Sequence, residues 1–311
     1  MFAFLVLIAA LASPVEETVK LETRTGAIEG TLMLPATRGG SVPVALIVAG
    51  SGPTDRNGNS LLLPGANDSL KMLAAGLAEH GIASLRFDKR GVSRSSAAGY
   101  AEAELRLTTY VDDAAGWVSL LRRDPRFSRV VIVGHSEGSL IGMLAAQRAP
   151  VAGFVSIAGL GRSAGATLRD QLRGQLSKEL YAESERVLRE LEAGRPVDDP
   201  PPLLGMLFRQ SVQPYLISWL TVDPLHEIAK LDMPVLIVQG TTDVQTTLTD
   251  AELLHLASPR SEVVVMRGMN HIFKGVEGSA AKQLPTYSDP KLPLVPELVP
   301  RIASFIKTRR R

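Results

Sequence analysis

Apolar positions follow two alternating patterns along this chain. Short unbroken runs of valine, isoleucine and leucine alternate with longer stretches in which apolar residues recur every three or four positions. The short runs are typical of strands buried on both faces, and the longer stretches of amphipathic helices. This alternation predicts an α/β fold with a mostly parallel central sheet and helices on both faces. The predicted strands are 18–25 and 27–34, as an antiparallel hairpin, then 42–48, 82–87, 130–133, 151–158, 234–238 and 262–266, and the predicted helices are 67–81, 109–123, 139–148, 250–256 and 299–307.

A long segment, residues 161–232, interrupts this alternation. Its first part carries leucines at multiples of about four positions with charges between them, which predicts an amphipathic helix. Three prolines then break the pattern, and residues 203–220 form a second apolar, helical stretch. We predict a helical lid inserted into a core of residues 13–160 and 233–311; the alternative is a structural layer of helices without ligand contact. The leucines are Leu168, Leu172, Leu176, Leu180, Leu188 and Leu191.

The first residues predict an export signal. Residues 2–12 are all apolar, but this run is shorter than the roughly 20 residues that a membrane-spanning helix needs. Ala10 and Ala12 occupy the small-residue positions of a signal-peptide cleavage site, although no lysine or arginine precedes the run. We expect residues 1–12 to be a signal peptide and the protein to be periplasmic or secreted; the alternatives are a buried first strand and an uncleaved anchor.

Composition narrows the range of functions. The 311 residues include 34 Lys and Arg against 32 Asp and Glu, and this net charge of +2 gives no reason to expect a nucleic-acid partner. The chain has no cysteine, so disulfides, thiol nucleophiles and zinc–thiolate clusters are excluded. A catalytic acyl transfer in this chain therefore has to use serine.

Residues 134–138 read Gly-His-Ser-Glu-Gly and stand directly between a predicted strand and a predicted helix. This arrangement is typical of the nucleophile elbow, a turn so tight that the positions two residues on either side of the serine must be small. It predicts Ser136 as the nucleophile. A second match surrounds Ser163, but Ala158 to Leu160 separate it from its strand, and the helix that follows is charged. We therefore interpret the match at Ser163 as a decoy.

A serine hydroxyl needs a histidine to accept its proton, and His271 is the predicted base among five histidines. It follows the strand at 262–266, on the last loop at the carboxyl edge of the sheet, where open α/β sheets bind ligands. The other four have structural explanations: His80 ends a helix, His135 occupies a free position of the elbow, His226 lies at the end of the insert, and His255 lies within a helix.

The predicted acid that orients this histidine is Asp243, which follows the strand at 234–238 on the same edge. Its competitor Asp250 has a structural explanation, because Thr249 and Glu252 predict a capping box and Asp250 would lie in the first turn of that helix. The chain order of nucleophile, acid and base is that of the α/β hydrolases.

Two backbone N–H groups are expected to stabilise the tetrahedral oxyanion. One is that of Glu137, directly after the nucleophile. For the other we choose Ser51, because the glycines of the loop after the strand at 42–48 let its backbone come close. This loop is not a phosphate-binding P-loop, since no Gly-Lys-Ser/Thr follows it.

With these motifs the sequence resembles the α/β-hydrolase superfamily over nearly all of its length after residue 12, and it looks most like the esterase and serine-aminopeptidase-like branch. Residues 50–58, Gly-Ser-Gly-Pro-Thr-Asp-Arg-Asn-Gly, match that branch's G-S-G-P-x-D-R-x-G loop. Residues 86–95 match its R-x-D-x-R-G-x-G-x-S segment, with Ser93 where glycine is usual, and residues 213–219, Gln-Pro-Tyr-Leu-Ile-Ser-Trp, are also similar. Ala49 replaces the histidine that many relatives carry before this loop. The resemblance implies serine hydrolysis of an acyl bond.

We therefore expect a serine hydrolase that cleaves small carboxylic esters through an acyl-enzyme, with no metal, organic cofactor, nucleic-acid partner or stable membrane span. One alternative is a thioesterase, and another is an aminopeptidase, in which an acidic residue of the insert would bind the free α-amine. A non-catalytic binding scaffold is the third. The acidic residues in question are Glu179, Glu183, Glu185, Glu190 and Glu192.

Overall fold

Eight strands form one sheet in the residues that the computed structural model describes, which are 13–36, 40–99, 101–277 and 280–308. The predicted signal peptide at 1–12 lies outside these residues. The strand order across the sheet is β1-β2-β4-β3-β5-β6-β7-β8. The strands are β1 Val15–Thr23, β2 Gly26–Leu34, β3 Val42–Val48, β4 Ala83–Phe87, β5 Phe127–His135, β6 Gly153–Ile157, β7 Val235–Gly240 and β8 Glu262–Met266.

The sheet is mostly parallel, as the sequence predicts. Strands β1 and β2 form an antiparallel hairpin, and β2 also runs antiparallel to β4. Every later pair is parallel, with β5 between β3 and β6 at the centre. Because these strands are parallel, the loops after β3, β5, β7 and β8 all leave the sheet at its carboxyl edge, where α/β sheets bind ligands.

Helices cover both faces of the sheet and create two apolar cores. Helices α1 and α11 pack on one face, and α2, α3, α9 and the helices of the insert on the other. Successive residues of β3 alternate between the cores, with Leu46 in one and Ile47 in the other. The helices are α1 Ser69–Glu79, α2 Leu107–Arg123, α3 Glu137–Arg148, α4 Ala164–Arg173, α5 Lys178–Glu192, α6 Gly205–Phe208, α7 Gln213–Leu220, α8 Pro224–Ala229, α9 Leu248–Ala257, α10 Ala280–Gln283 and α11 Leu298–Thr308.

The insert at residues 161–232 is helical, but its leucine pattern does not form a single helix. Helix α4 ends before Gly174, and α5 begins after Ser177, whose side chain accepts a hydrogen bond from the backbone N–H of Leu180. A serine cap of this kind starts a new helix and gives the chain a change of direction. The prediction of one continuous amphipathic helix was therefore wrong.

No helix of the described residues is long and apolar enough to cross a bilayer.

Two helix caps explain residues that the sequence singled out. Ser163 caps α4 by accepting a hydrogen bond from the backbone N–H of Ala166, which gives the serine of the second G-x-S-x-G match a structural role. The capping box of α9 consists of Thr247 and Asp250. The predicted box of Thr249 and Glu252 was wrong because α9 begins two residues earlier than predicted, so that Thr249 lies inside the helix.

Candidate active site

The turn between β5 and α3 holds Ser136 in a strained backbone conformation, with φ of 55° and ψ of −124°. Such positive φ values cost a non-glycine residue free energy and occur where the surrounding structure enforces them. The enforcement is steric here. A Cβ on Gly134 would lie 2.6 Å from the Cα of Ser139, and one on Gly138 would lie 2.5 Å from the carbonyl oxygen of Ala49. The two glycines are therefore required for the turn that presents Ser136.

Asp243 and His271 form a hydrogen-bonded pair at the carboxyl edge. The imidazole Nδ1 lies 2.8 Å from Oδ2 of Asp243, and because a carboxylate only accepts, Nδ1–H is the donor. This bond leaves Nε2 free to accept a proton. His271 is 4% exposed and Ser136 is 8% exposed, so the site is nearly closed to solvent.

The Asp243 carboxylate is held in its ionised form. Burial alone would raise its pKa, but the neighbouring His271 and hydrogen bonds from the backbone N–H groups of Gln245 and Thr246 outweigh burial and lower it below its ordinary value. Thr246 Oγ1 and Gln239 Nε2 also donate to Oδ2. An anchored negative charge of this kind can fix the orientation of the imidazole and stabilise an imidazolium.

His135 joins the nucleophile elbow to the loop of His271. Its Nε2 donates a hydrogen bond of 2.9 Å to the backbone oxygen of His271, and the two rings lie 4.8 Å apart between centroids. The edge of His135 also meets Phe273. Burial, and then the proximity of His271, lower the pKa of His135 to about 3, so its ring is neutral. The structure thus links the nucleophile elbow to the loop of His271 through His135, for which the sequence predicts no role.

The loop after β3 lies against the nucleophile. A Cβ on Gly50 would be only 3.2 Å from Cβ of Ser136, so glycine is required where this loop passes the elbow. Ser51 follows it, and its backbone oxygen accepts a hydrogen bond from Thr54 Oγ1. Two of the three segments that carry the family resemblance, 50–58 and 86–95, meet here, because Asp88 accepts hydrogen bonds from the backbone and the guanidinium of Arg56.

A buried polar cluster of Lys89, Glu137 and Tyr215 adjoins this loop. Lys89 Nζ lies 3.0 Å from Glu137 Oε2 and also donates to the backbone oxygen of Gly50. Tyr215, on α7 of the insert, donates a hydrogen bond of 2.6 Å to Glu137 Oε1. Burial and the charge of Glu137 raise the pKa of Tyr215, which keeps its hydroxyl protonated. The sequence predicts only a backbone role for Glu137. Its side-chain partners Lys89 and Tyr215 were not predicted, although each lies in a motif that carries the resemblance.

Two sequence relationships connect the chain to known proteins. Residues 61–278 match the alpha/beta hydrolase family. Esterase EstD of Thermotoga maritima is 30% identical over 246 residues, which are 78% of this chain and 57% of the relative. The chain therefore spans a little over half the length of EstD.

Two solved structures show the same fold. Est1E of Butyrivibrio proteoclasticus superposes with a TM-score of 0.59 at 16% identity, over 93% of this chain and 97% of that one. Dipeptidyl peptidase 4 of Porphyromonas gingivalis superposes with a TM-score of 0.58 at 13% identity, over 96% of this chain and 36% of that one. At these identities the likeness does not separate esterases from peptidases. The family match and the shared fold together show that the chain belongs to the alpha/beta hydrolase family.

Proposed function

We propose that this protein is a serine esterase that hydrolyses small carboxylic esters. The observation that carries the proposal is the bonded pair of Asp243 and His271, which is packed through His135 against the strained turn of Ser136. The sequence relationship to an esterase supports the same reaction class. The arrangement requires no cofactor, because the reaction is an acyl transfer to serine and then to water.

The proposed reaction uses these residues in two acyl-transfer steps. Ser136 Oγ attacks the ester carbonyl carbon while His271 Nε2 takes the hydroxyl proton, and Asp243 stabilises the resulting imidazolium. The carbonyl oxygen becomes an oxyanion that accepts hydrogen bonds from the backbone N–H groups of Glu137 and Ser51. The C–O bond to the alcohol breaks, and His271 gives its proton to the leaving oxygen. Water then attacks the acyl-enzyme with the same base and releases the acid and Ser136.

The acidic residues of the insert favour the esterase over an aminopeptidase. A site for a free α-amine needs an uncompensated carboxylate. Four of the five candidate acids instead pair with three arginines of the same insert, and the fifth, Glu179, is exposed in the first turn of α5. The pairs are Glu183 with Arg186, Glu185 and Glu192 with Arg169, and Glu190 with Arg195. Glu137 lies closest to the nucleophile in sequence, and its carboxylate pairs with Lys89.

The insert also has a contact that supports its role as a lid. Tyr215 of α7 bonds to the side chain of the residue that follows the nucleophile. A purely structural layer of helices would have no need to reach this position.

We extend the proposal to location: residues 1–12 direct export, and the mature chain begins at Ser13.

Substrate hydrolysis by paired serine variants tests the function. Ser136→Ala should lower kcat for p-nitrophenyl acetate and butyrate by about 10⁴-fold or more, because the nucleophile is lost. Ser163→Ala is the matched control: it removes the serine of the second G-x-S-x-G and a helix cap, and should keep the wild-type kcat. Undiminished hydrolysis by Ser136→Ala would contradict the assignment.

A substrate panel separates the alternatives. Aminoacyl p-nitroanilides and acyl thioesters are assayed beside the esters, with a fluorophosphonate label to report an activated serine. We expect labelling of the wild type and preference for the oxygen esters. Faster cleavage of the anilides would favour the aminopeptidase, and faster cleavage of thioesters the thioesterase. A chain that neither reacts with the label nor cleaves any substrate would be a binding scaffold.

A further inference from the structure

The ammonium group of Lys89 is bonded to the two segments that supply the proposed oxyanion hole. Its Nζ donates to the backbone oxygen of Gly50, reaches that of Gly52 at 3.5 Å, and pairs with Glu137 Oε2 at 3.0 Å. Three acceptors match its three N–H donors. The residue is 3% exposed, and its charge also lies 5.3 Å from the centre of the Tyr110 ring.

The acceptor on Gly50 has a geometric consequence for Ser51. The oxygen of Gly50 and the N–H of Ser51 belong to one peptide group, and in a planar trans peptide these two bonds point in opposite directions. Whatever fixes the oxygen therefore fixes the direction of the N–H. The second acceptor, Glu137, is the residue whose N–H is the other proposed oxyanion donor.

We propose that Lys89 is the positioning residue of the oxyanion hole. It holds the Gly50–Ser51 peptide against the nucleophile elbow, so that both donor N–H groups have a fixed separation before substrate arrives. The inference deepens the proposed function, on which it rests, because an oxyanion hole is needed only if Ser136 attacks an acyl carbon. Donors that are already in place need no reorganisation when the charge develops.

The charge of Lys89 contributes to the same role. A cation on a carbonyl oxygen draws electron density from the peptide and makes its N–H a stronger donor, as in any polarised chain of hydrogen bonds. Because Lys89 is buried, its charge requires a buried counterion, which Glu137 supplies at 2% exposure. Tyr215 satisfies the second oxygen of that carboxylate and so links the insert to the same cluster.

A purely structural ion pair would behave differently, and two variants distinguish the cases. Lys89→Met removes the clamp but leaves Glu137 buried without its counterion. Lys89→Met combined with Glu137→Gln removes both charges and keeps a side chain that accepts from Tyr215. If Lys89 only compensates Glu137, the double variant regains the wild-type kcat. If Lys89 positions the peptide, both variants remain slow although the double variant recovers stability.

The kinetic test uses esters and a transition-state analogue. In both variants kcat should fall by about 10²–10³-fold, the usual loss for one oxyanion donor, while KM changes little. The inhibition constant of a trifluoromethyl ketone, whose serine adduct carries the oxyanion, should rise by the same factor as kcat/KM falls. Arg90→Met is the matched control, because Arg90 is the neighbouring buried cation and bonds to Asp113 of α2 and to Thr23 and Thr25; it should keep the wild-type kcat.

Hydrogen–deuterium exchange tests the clamp without relying on activity. The backbone N–H groups of residues 50–58 should exchange faster in both Lys89 variants than in the wild type or Arg90→Met. Equal exchange in all four proteins, or a double variant with wild-type kcat, would overturn the inference. A wild type that hydrolyses no ester contradicts the proposed function instead, and exchange of this loop then decides whether Lys89 positions it.

Discussion

The imidazole of His135 is buried between the nucleophile elbow and the loop that carries His271. Its Nε2–H donates to the backbone oxygen of His271, and its ring packs against both His271 and Phe273. A charged imidazolium at this position would lose its hydration and face His271, which is why its pKa falls to about 3. The relative position of the elbow and the His271 loop therefore depends on a side chain that is buried and neutral.

This burial makes the stability of the protein depend on pH. The unfolded His135 binds a proton as the pH falls below its ordinary pKa of 6.5, whereas the folded residue does not until the pH approaches about 3. Between these values the free energy of unfolding should fall by about 1.4 kcal/mol per pH unit on account of His135. We expect His135→Gln, which keeps an N–H donor, to lose this contribution. In urea unfolding, the free energy of unfolding of His135→Gln should fall between pH 7 and pH 4.5 by about 2–3 kcal/mol less than that of the wild type.

The control for this measurement is His226→Gln, which removes an exposed histidine of α8. Because this side chain is exposed to water, the variant should lose clearly more stability between pH 7 and pH 4.5 than His135→Gln loses. If the free energy of unfolding fell equally with pH in the wild type and in His135→Gln, His135 would not resist protonation in the folded state.

At the residue scale, the sequence predicts the groups whose positions follow from strand order. Asp243 and His271 each follow a parallel strand, and parallel strands bring such loops to one edge, where the two side chains are bonded. Lys89 and Tyr215 could not be assigned in this way. Each meets Glu137 from a distant part of the chain, and side-chain contacts of that kind depend on packing that no local pattern encodes.

The elbow is the element on which the site depends. Its glycines differ from those of the insert in the space that surrounds them. Gly138 is the second residue of α3 and has no room for a Cβ, since one would lie 2.5 Å from the backbone oxygen of Ala49 on β3's loop. Gly205 begins α6 with φ of −57° and ψ of −34°, and no atom lies within 4 Å of a Cβ built there.

These surroundings predict opposite effects for the same substitution. Gly138→Ala forces α3 away from β3, which should lower the free energy of unfolding by roughly 1–3 kcal/mol or more and displace Ser136, with loss of ester hydrolysis. Gly205→Ala should raise the free energy of unfolding by about 0.4–1 kcal/mol, because alanine restricts the unfolded chain without strain in the helix. Urea unfolding and the p-nitrophenyl butyrate assay measure both. A stable, active Gly138→Ala would refute the steric account of the elbow.

Strands of the sheet were predictable where a short apolar run marks them in the sequence. Strands β3 and β8 lie at the predicted residues, and the other parallel strands shift by only a few positions. The insert was harder to predict because its apolar period continues through a break. Gly174 and Ser177 end one helix and start another while the leucine spacing stays the same, so periodicity could not reveal the change of direction.

On the scale of the whole molecule, the β1–β2 hairpin forms one edge of the sheet. The first residue of β1 is Val15, which pairs with Leu34 at the end of β2, and the register continues without interruption to Thr23 and Gly26. The eight strands of the described residues lie after residue 12. A cleavage between Ala12 and Ser13 would leave the hairpin intact.

The chain of residues 13–311 should accordingly fold and act like the full-length chain. We expect the two forms to have the same Tm and the same kcat/KM for p-nitrophenyl butyrate, because every strand pair of the described residues begins after the proposed cleavage site. A Tm lower by about 2–4 °C in the shorter form would correspond to a loss of about 1 kcal/mol and would favour the alternative of a buried first strand. Mass spectrometry of protein expressed with its own N-terminus should find Ser13 as the first residue of the exported form, and an intact Met1 there would contradict the signal peptide.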